Sequence, residues 1–215
     1  MPRRPKPTPA TVALFVRHGV TATTGKVLPG RAKGLHLADS GRAQADVVAE
    51  RLASLKKIDA VYASPLERTR ETAAAIGTRL GLKVGVEKGL LECDFGEWTG
   101  AELKDLNRLP EWGTVQRYPS GFRFPGGESF REMHTRINET VARLRGRHPG
   151  QTIVLVSHAD PIKAAVADAT GTPLDLFQRI VISPCSITAI LYGTGAPVVL
   201  ATNSTGDDLT TLVPS

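Results

Sequence analysis

Two stretches of this 215-residue sequence end an apolar run on a histidine. In "TVALFVRHG", Leu14, Phe15 and Val16 give way without a polar spacer to Arg17 and His18; in "TIVLVSHAD", a similar run reaches His158. Short runs of this kind read as buried strands. In one parallel sheet their carboxyl ends would share an edge, which is where open α/β sheets bind ligands. The two histidines would then face each other across one site. Arg17 fits the same edge. So does Arg68, one helical turn beyond Ser64 at the start of the helix that follows the strand 59–63. Helix N-termini favour anions, and a guanidinium fork adds paired hydrogen bonds to phosphate oxygens. Alone, either histidine would read as structural, and Arg68 as an exposed residue paired with Glu67 or Glu71. The repeated strand-to-histidine pattern favours a site for a phosphate-bearing ligand.

The elements that must position these residues follow an α/β rhythm. Strands are expected at 12–17, 59–63, 83–86 and 152–156, with later ones near 186–192 and 197–201. Helices are expected near 40–55, 65–80, 128–147 and 160–170. The alternation predicts a three-layer α/β/α sandwich with a mostly parallel central sheet. In "SPLERTRETAAAIGTRLG", Ser64 reads as an N-cap, Pro65 as the first helical residue, Glu67 as the partner in a capping box and Gly81 as the stop. The stretch 93–127 is Gly-, Pro- and aromatic-rich and weakly periodic, with a short helix near 101–108; long irregular segments of this kind often serve as lids.

Composition narrows the class. The chain carries 41% hydrophobic and 22% charged residues, the balance of a globular protein. No apolar run approaches the roughly 20 residues that span a bilayer. Residues 1–10 lack the apolar core of a secretion signal and read as a disordered leader, so the cytoplasm is the expected compartment. Cys93 and Cys185 suggest neither a disulfide framework nor a metal site. The net charge of +6 includes Arg3, Arg4 and Lys6 in the leader, and the other basic residues are dispersed among acidic ones. That pattern suits an anionic metabolite better than nucleic acid.

Five motifs in order, "VRHGVT", "SPLERTRETA", "LLECDFGEWTG", "PGGES" and "VSHAD", make the chain from residue 12 to about 192 resemble the histidine phosphatase superfamily, also called the phosphoglycerate mutase-like family. The resemblance implies a phosphohistidine mechanism without metal or cofactor. By motif, His18 would accept the phosphoryl group, Arg17, Arg68 and His158 would hold its oxygens, and Glu92 would protonate the leaving oxygen, with Asp94 and Glu97 as nearby rivals. Many members read RHGxTxxN; here Thr21 matches the threonine, and Thr24 stands where an asparagine helps bind phosphate. The following segment, "GRAKGLHLADSGRAQA", is shorter than usual, with His36 in or near the deletion, and Arg31 is a candidate substrate contact.

Mutases and phosphatases of this family share the site. The stretch 93–127 offers Lys104, Arg108, Arg117 and Arg123 but also Trp98, Trp112, Phe122 and Phe124, and is short for a mutase insertion. It reads as a phosphatase lid over a small phosphomonoester, with Trp98 in a packing role. A cofactor-dependent mutase and a catalytically silent phosphate-binding scaffold are the alternatives. The expected organisation is one domain over 11–202 with the lid at about 93–127 and a flexible tail over 203–215. The expected partner is a small phosphorylated metabolite, with no nucleic acid or membrane, and a homodimer stays open.

Overall fold

Strand β1 (Thr11–Arg17) is buried on both faces, which is why its sequence is a continuous apolar run rather than an alternating one. In the computed structural model, which describes residues 9–206, Val12, Leu14 and Val16 point to one side of the sheet and Ala13 and Phe15 to the other. The first set packs against α1 (Asp39–Ala53) and α2 (Glu67–Leu80) through Val48, Leu52, Ala73 and Ile76. The second packs against α5 (Phe130–Arg147) and α6 (Ala159–Thr170) through Met133, Ile137, Leu144 and Ile162. Helices therefore cover both faces, giving the three layers expected.

The remaining strands are β2 (Ala60–Ala63), β3 (Val84–Val86), β4 (Thr152–Ser157), β5 (Ile187–Tyr192) and β6 (Val198–Ser204). They lie in the order β3-β2-β4-β1-β5-β6. β1, β2, β3 and β4 pair in parallel, while β5 is antiparallel to both β1 and β6. Only β5 runs against the others, so the sheet is mixed but mostly parallel.

Boundaries differ from the sequence reading in two instructive places. Helix α2 begins at Glu67 rather than Pro65, its N-cap is Leu66, and no side chain caps it. The Ser64–Glu67 capping box does not form, because the Ser64 hydroxyl is engaged elsewhere. A capping box does form at α5, where the Ser129 hydroxyl accepts from Glu132 N–H and the Glu132 carboxylate accepts from Ser129 N–H. The last strand also runs past 201, through Asn203 and Ser204. Asn203 Oδ1 accepts from Ser183 N–H at 2.6 Å, and Arg51 donates to Ser204 O at 3.1 Å, so these two residues are tied to the domain. Residues 1–8 of the expected leader and 207–215 of the expected tail lie outside the described residues.

Within residues 93–127 lie α3 (Leu103–Leu106) and α4 (Pro110–Arg117), the second not anticipated. The aromatic residues here form packing: Trp98 contacts Trp112, Phe122 and Phe124, and Phe124 contacts Phe95 and Phe130. Gly19 and Gly41 interlock the tip of β1 with α1. A Cβ on Gly19 would sit 2.4 Å from Gly41 O, and one on Gly41 would sit 2.0 Å from Val20 O.

Candidate active site

The carboxyl ends of β2, β4 and β1 lie side by side, and each is followed at once by a polar residue: Ser64, His158 and His18. Register fixes the alignment. Arg17 pairs with Ser157 and Ala63 with Val156; His18 N–H donates to Ser157 O and Ser64 N–H to Val156 O, both at 3.0 Å. The two imidazoles meet edge to face, with centroids 5.2 Å apart.

Both rings are buried, and each has one nitrogen committed. His18 Nδ1 hydrogen-bonds Gly19 O at 2.8 Å, which places a proton on Nδ1 and leaves the Nε2 lone pair free. His158 Nε2 lies 2.9 Å from Ser64 Oγ, and His158 Nδ1 is buried without a partner. Burial, and then Arg68 and Arg17, hold His18 well below the ordinary histidine range; burial, Arg68 and His18 do the same for His158. Two neutral imidazoles thus lie among guanidinium groups.

Arg68 is fully buried at the second position of α2. Its Nη2 donates to Gly30 O at 2.7 Å, while Nε and Nη1 have no partner. Arg17 donates Nη1 to Ile182 O at 2.6 Å, and its Nε is likewise unsatisfied. Buried donors without acceptors are rare and costly. Here three guanidinium N–H positions and one imidazole nitrogen are left over around His18, as a tetrahedral oxyanion would require.

Glu92 is 6% exposed. Burial, and then the nearby Asp160 carboxylate, push its acid up to about 7, against the opposing pull of Cys93 N–H, Arg68 and Arg17. The carboxyl accepts from Cys93 N–H at 2.9 Å through Oε1. A carboxyl group poised near neutrality, close to Arg17 and Arg68, is equipped for general acid chemistry.

The other expected residues are placed as follows. Thr24 Oγ1 accepts from Thr21 N–H at 2.8 Å and lies 3.0 Å from Thr21 Oγ1, so both hydroxyls close their own turn. Arg31, the candidate substrate contact, has partners within the protein. It turns inward and pairs with Asp94 at 3.3 Å and Glu128 at 2.8 Å, because the loop it sits on packs against the Glu92 segment. His36 is exposed and bonded to Glu71. Asp94 binds its own turn through Gly96 N–H, and Glu97 is exposed.

Three residues at the site escaped the sequence reading. Ser64 had been assigned to a helix cap. Thr72 accepts from Gly19 N–H at 3.1 Å and donates to Arg68 O at 2.8 Å, linking the two motifs, yet it carries no local signal. Asp160 follows His158 by two residues and lines a hollow of about 140 Å3 with Phe95, Trp112, Phe124, Phe130 and Gln178. Among the described residues, no Lys or Arg lines that hollow. Lys163, just outside the lining, is engaged by two of its residues, Asp160 at 3.2 Å and Gln178 at 2.9 Å.

Among the described residues, no group of three or more His, Cys, Asp or Glu is placed to hold a metal ion, and no helix is long and apolar enough to cross a membrane.

A family model for the histidine phosphatase superfamily (branch 1) matches residues 13–205. Phosphoserine phosphatase 1 of Hydrogenobacter thermophilus is 31% identical over 189 residues, 82% of this chain and 85% of that protein. A bifunctional protein of Mycobacterium tuberculosis is 32% identical over 204 residues; the match takes in 91% of this chain but spans only about half of that longer protein, 54%. The solved structure of a mycobacterial glucosyl-3-phosphoglycerate phosphatase superposes with a TM-score of 0.80 at 25% identity, covering 91% of this chain and 99% of that one.

Proposed function

The chain belongs to the histidine phosphatase superfamily, and from that premise we propose that it hydrolyses a small phosphomonoester through a phosphohistidine formed on His18. The observation that carries this reading is the pairing of a fixed tautomer with unsatisfied donors. His18 keeps its proton on Nδ1 against Gly19 O, and the unpartnered N–H groups of Arg68 and Arg17 surround it.

The steps balance on these residues. The Nε2 lone pair of His18 attacks phosphorus, the bond from phosphorus to the ester oxygen breaks, and the Glu92 carboxyl gives that oxygen its proton. Arg17, Arg68 and His158 Nδ1–H meet the charge on the equatorial oxygens. For His158 to donate from Nδ1, Ser64 must donate to Nε2. The Glu92 carboxylate then takes a proton from the water that attacks the phosphohistidine, returning neutral His18 and inorganic phosphate. No step calls for a metal or cofactor.

The leaving alcohol is assigned to the hollow beside Asp160, lined by aromatic rings and one carboxylate. A 2,3-bisphosphoglycerate-dependent mutase needs cations there to grip a second anion. The hollow's lining offers none, which favours hydrolysis over mutase chemistry.

The test is covalent trapping. With 32P-labelled substrate, a brief incubation in EDTA quenched without acid should give an acid-labile phosphoenzyme, and His18→Ala should abolish it. Label persisting on that variant would move the nucleophile elsewhere, and a requirement for added metal would overturn the mechanism.

A further inference from the structure

Two side chains that none of those steps uses converge on the backbone of Glu92, and a third ties them together. Arg136, on α5, spends its whole guanidinium there. Nη1 donates to Gly89 O and Leu91 O at 2.8 Å each, Nη2 to Glu92 O at 3.2 Å, and Nε and Nη2 meet the two carboxylate oxygens of Glu128 at 2.9 Å each. Arg31, on the loop that follows Gly30, donates Nε to the same Glu92 O at 3.0 Å. Glu128 joins them, pairing with Arg31 at 2.8 Å and accepting from Asp94 N–H at 3.1 Å. One carbonyl is gripped by two guanidinium groups, and one carboxylate bridges both.

We propose that Arg31, Glu128 and Arg136 are positioning residues that fix the main chain of Glu92 so that its carboxyl group stands at the leaving oxygen. The inference rests on Glu92 being the general acid.

The carboxyl's one hydrogen bond runs from Cys93 N–H to Oε1, back onto its own main chain. The acid therefore goes where its backbone goes. The backbone lies in an irregular stretch between two short 3-10 turns, outside the sheet that holds the histidines. Something other than strand pairing must set its height over the phosphate, and the two arginines are the groups that touch it. A misplacement of about 1 Å costs about 10²-fold in rate, so the clamp has a rate to protect. The loop also ties acid to anion: Gly30 O accepts from Arg68 Nη2 at 2.7 Å, and the next residue, Arg31, holds Glu92 O. Charge alone would not suffice, since the planar fork of Arg136 serves several acceptors that a lysine could not reach together.

The experiment compares propyl phosphate, whose alkoxide leaves only with help, against p-nitrophenyl phosphate, whose phenolate leaves unaided. The variants are Arg136→Lys, Arg31→Gln (a side chain 28% exposed, so less costly to fold) and the control Glu92→Gln. For Arg136→Lys, kcat/KM on propyl phosphate should fall by about 10²-fold and on p-nitrophenyl phosphate far less. The basic limb of the propyl phosphate pH profile should move to lower pH, as water reaches a loosened carboxyl. Arg31→Gln should shift both readouts in the same sense, and Glu92→Gln combined with Arg31→Gln should show no further change in the ratio. Because each ratio is taken within one variant, partial unfolding cancels. If Glu92→Gln splits the substrates but the arginine variants slow both equally with an unmoved limb, the clamp is purely structural and the inference falls. If Glu92→Gln itself fails to split them, the general-acid assignment falls first and takes the clamp with it.

Discussion

His18 and His158 lie 5.2 Å apart between ring centroids and use their nitrogens in opposite senses: His18 spends Nδ1 on Gly19 O, His158 spends Nε2 on Ser64 Oγ. One ring is left with a free Nε2, the other with a free Nδ1. A nucleophile and a donor can thus be made from the same side chain by choosing which nitrogen the frame occupies.

Ser64→Ala should therefore lower kcat/KM while leaving the fold intact. Removing the hydroxyl lets the His158 proton move to Nε2, which withdraws a donor from the phosphate. The expected loss is about 10-fold, the scale of one net hydrogen bond. Nitrogen-15 NMR of the imidazoles should show the His158 tautomer changing and that of His18 unchanged; an unchanged His158 would refute the role given to Ser64.

The pH profile has a defined sign. A general acid at Glu92 would work only while protonated, and burial with the Asp160 charge pushes its carboxyl up to about 7. For an alkyl phosphate, kcat/KM should fall about tenfold per pH unit above that point. His18 is held well below the usual histidine range, so its protonation limits activity only on the acid side of pH 6.5. Glu92→Gln should erase the basic limb. It should also be more stable than the parent at pH 8 but not at pH 4: between the ordinary carboxyl value of 4.5 and about 7 the native state holds the extra proton, so stability declines as pH rises through that window. Melting curves at the two pH values check this.

Anions should stabilise the protein through Arg68 and Arg17, whose buried Nε groups, and Nη1 of Arg68, lack acceptors. Orthovanadate at a hundred times its Kd should add about 2.7 kcal/mol, a rise of roughly 5–10 °C in Tm for a chain of this size. Arg68→Met should raise Tm without anion and abolish most of the response, because a desolvated cation is replaced by an apolar group. An undiminished vanadate shift in Arg68→Met would place the anion elsewhere.

The hollow beside Asp160 should select against a second negative charge on the alcohol. Phenyl phosphate should exceed 3-phosphoglycerate in kcat/KM by at least about 10-fold. Asp160→Asn should narrow that ratio, since it removes a carboxylate and frees Lys163. A ratio that stays fixed would mean the alcohol sits elsewhere.

The strand ends were legible in the sequence because both requirements are local: an apolar run forces the strand, and a charged pair directly after it has nowhere to go but the sheet edge. The carboxyl side was less so. Glu92 lies in irregular chain, and its neighbours Asp94 and Glu97 carry the same chemistry, so the motif alone singled it out. Ser64 was misassigned for a physical reason: the cap signature was present, but the register of β2 against β4 sets the hydroxyl beside His158, which competes for it. The same Ser-x-x-Glu spacing at Ser129, not singled out in the sequence, meets no such competitor and forms the box. Arg136 had no signature at all, being one of several arginines on a helix whose periodicity reports only its buried face.

The interlocked glycines have a consequence for how this molecule can be altered over generations. Gly19 and Gly41 each leave no room for a side chain because the other segment's backbone occupies the space. No substitution at one can be compensated by a change at the other, since backbone atoms cannot be mutated away. The loop that follows His18 and the start of the first helix therefore form one packed unit, and a graft that exchanges only one of them should misplace His18.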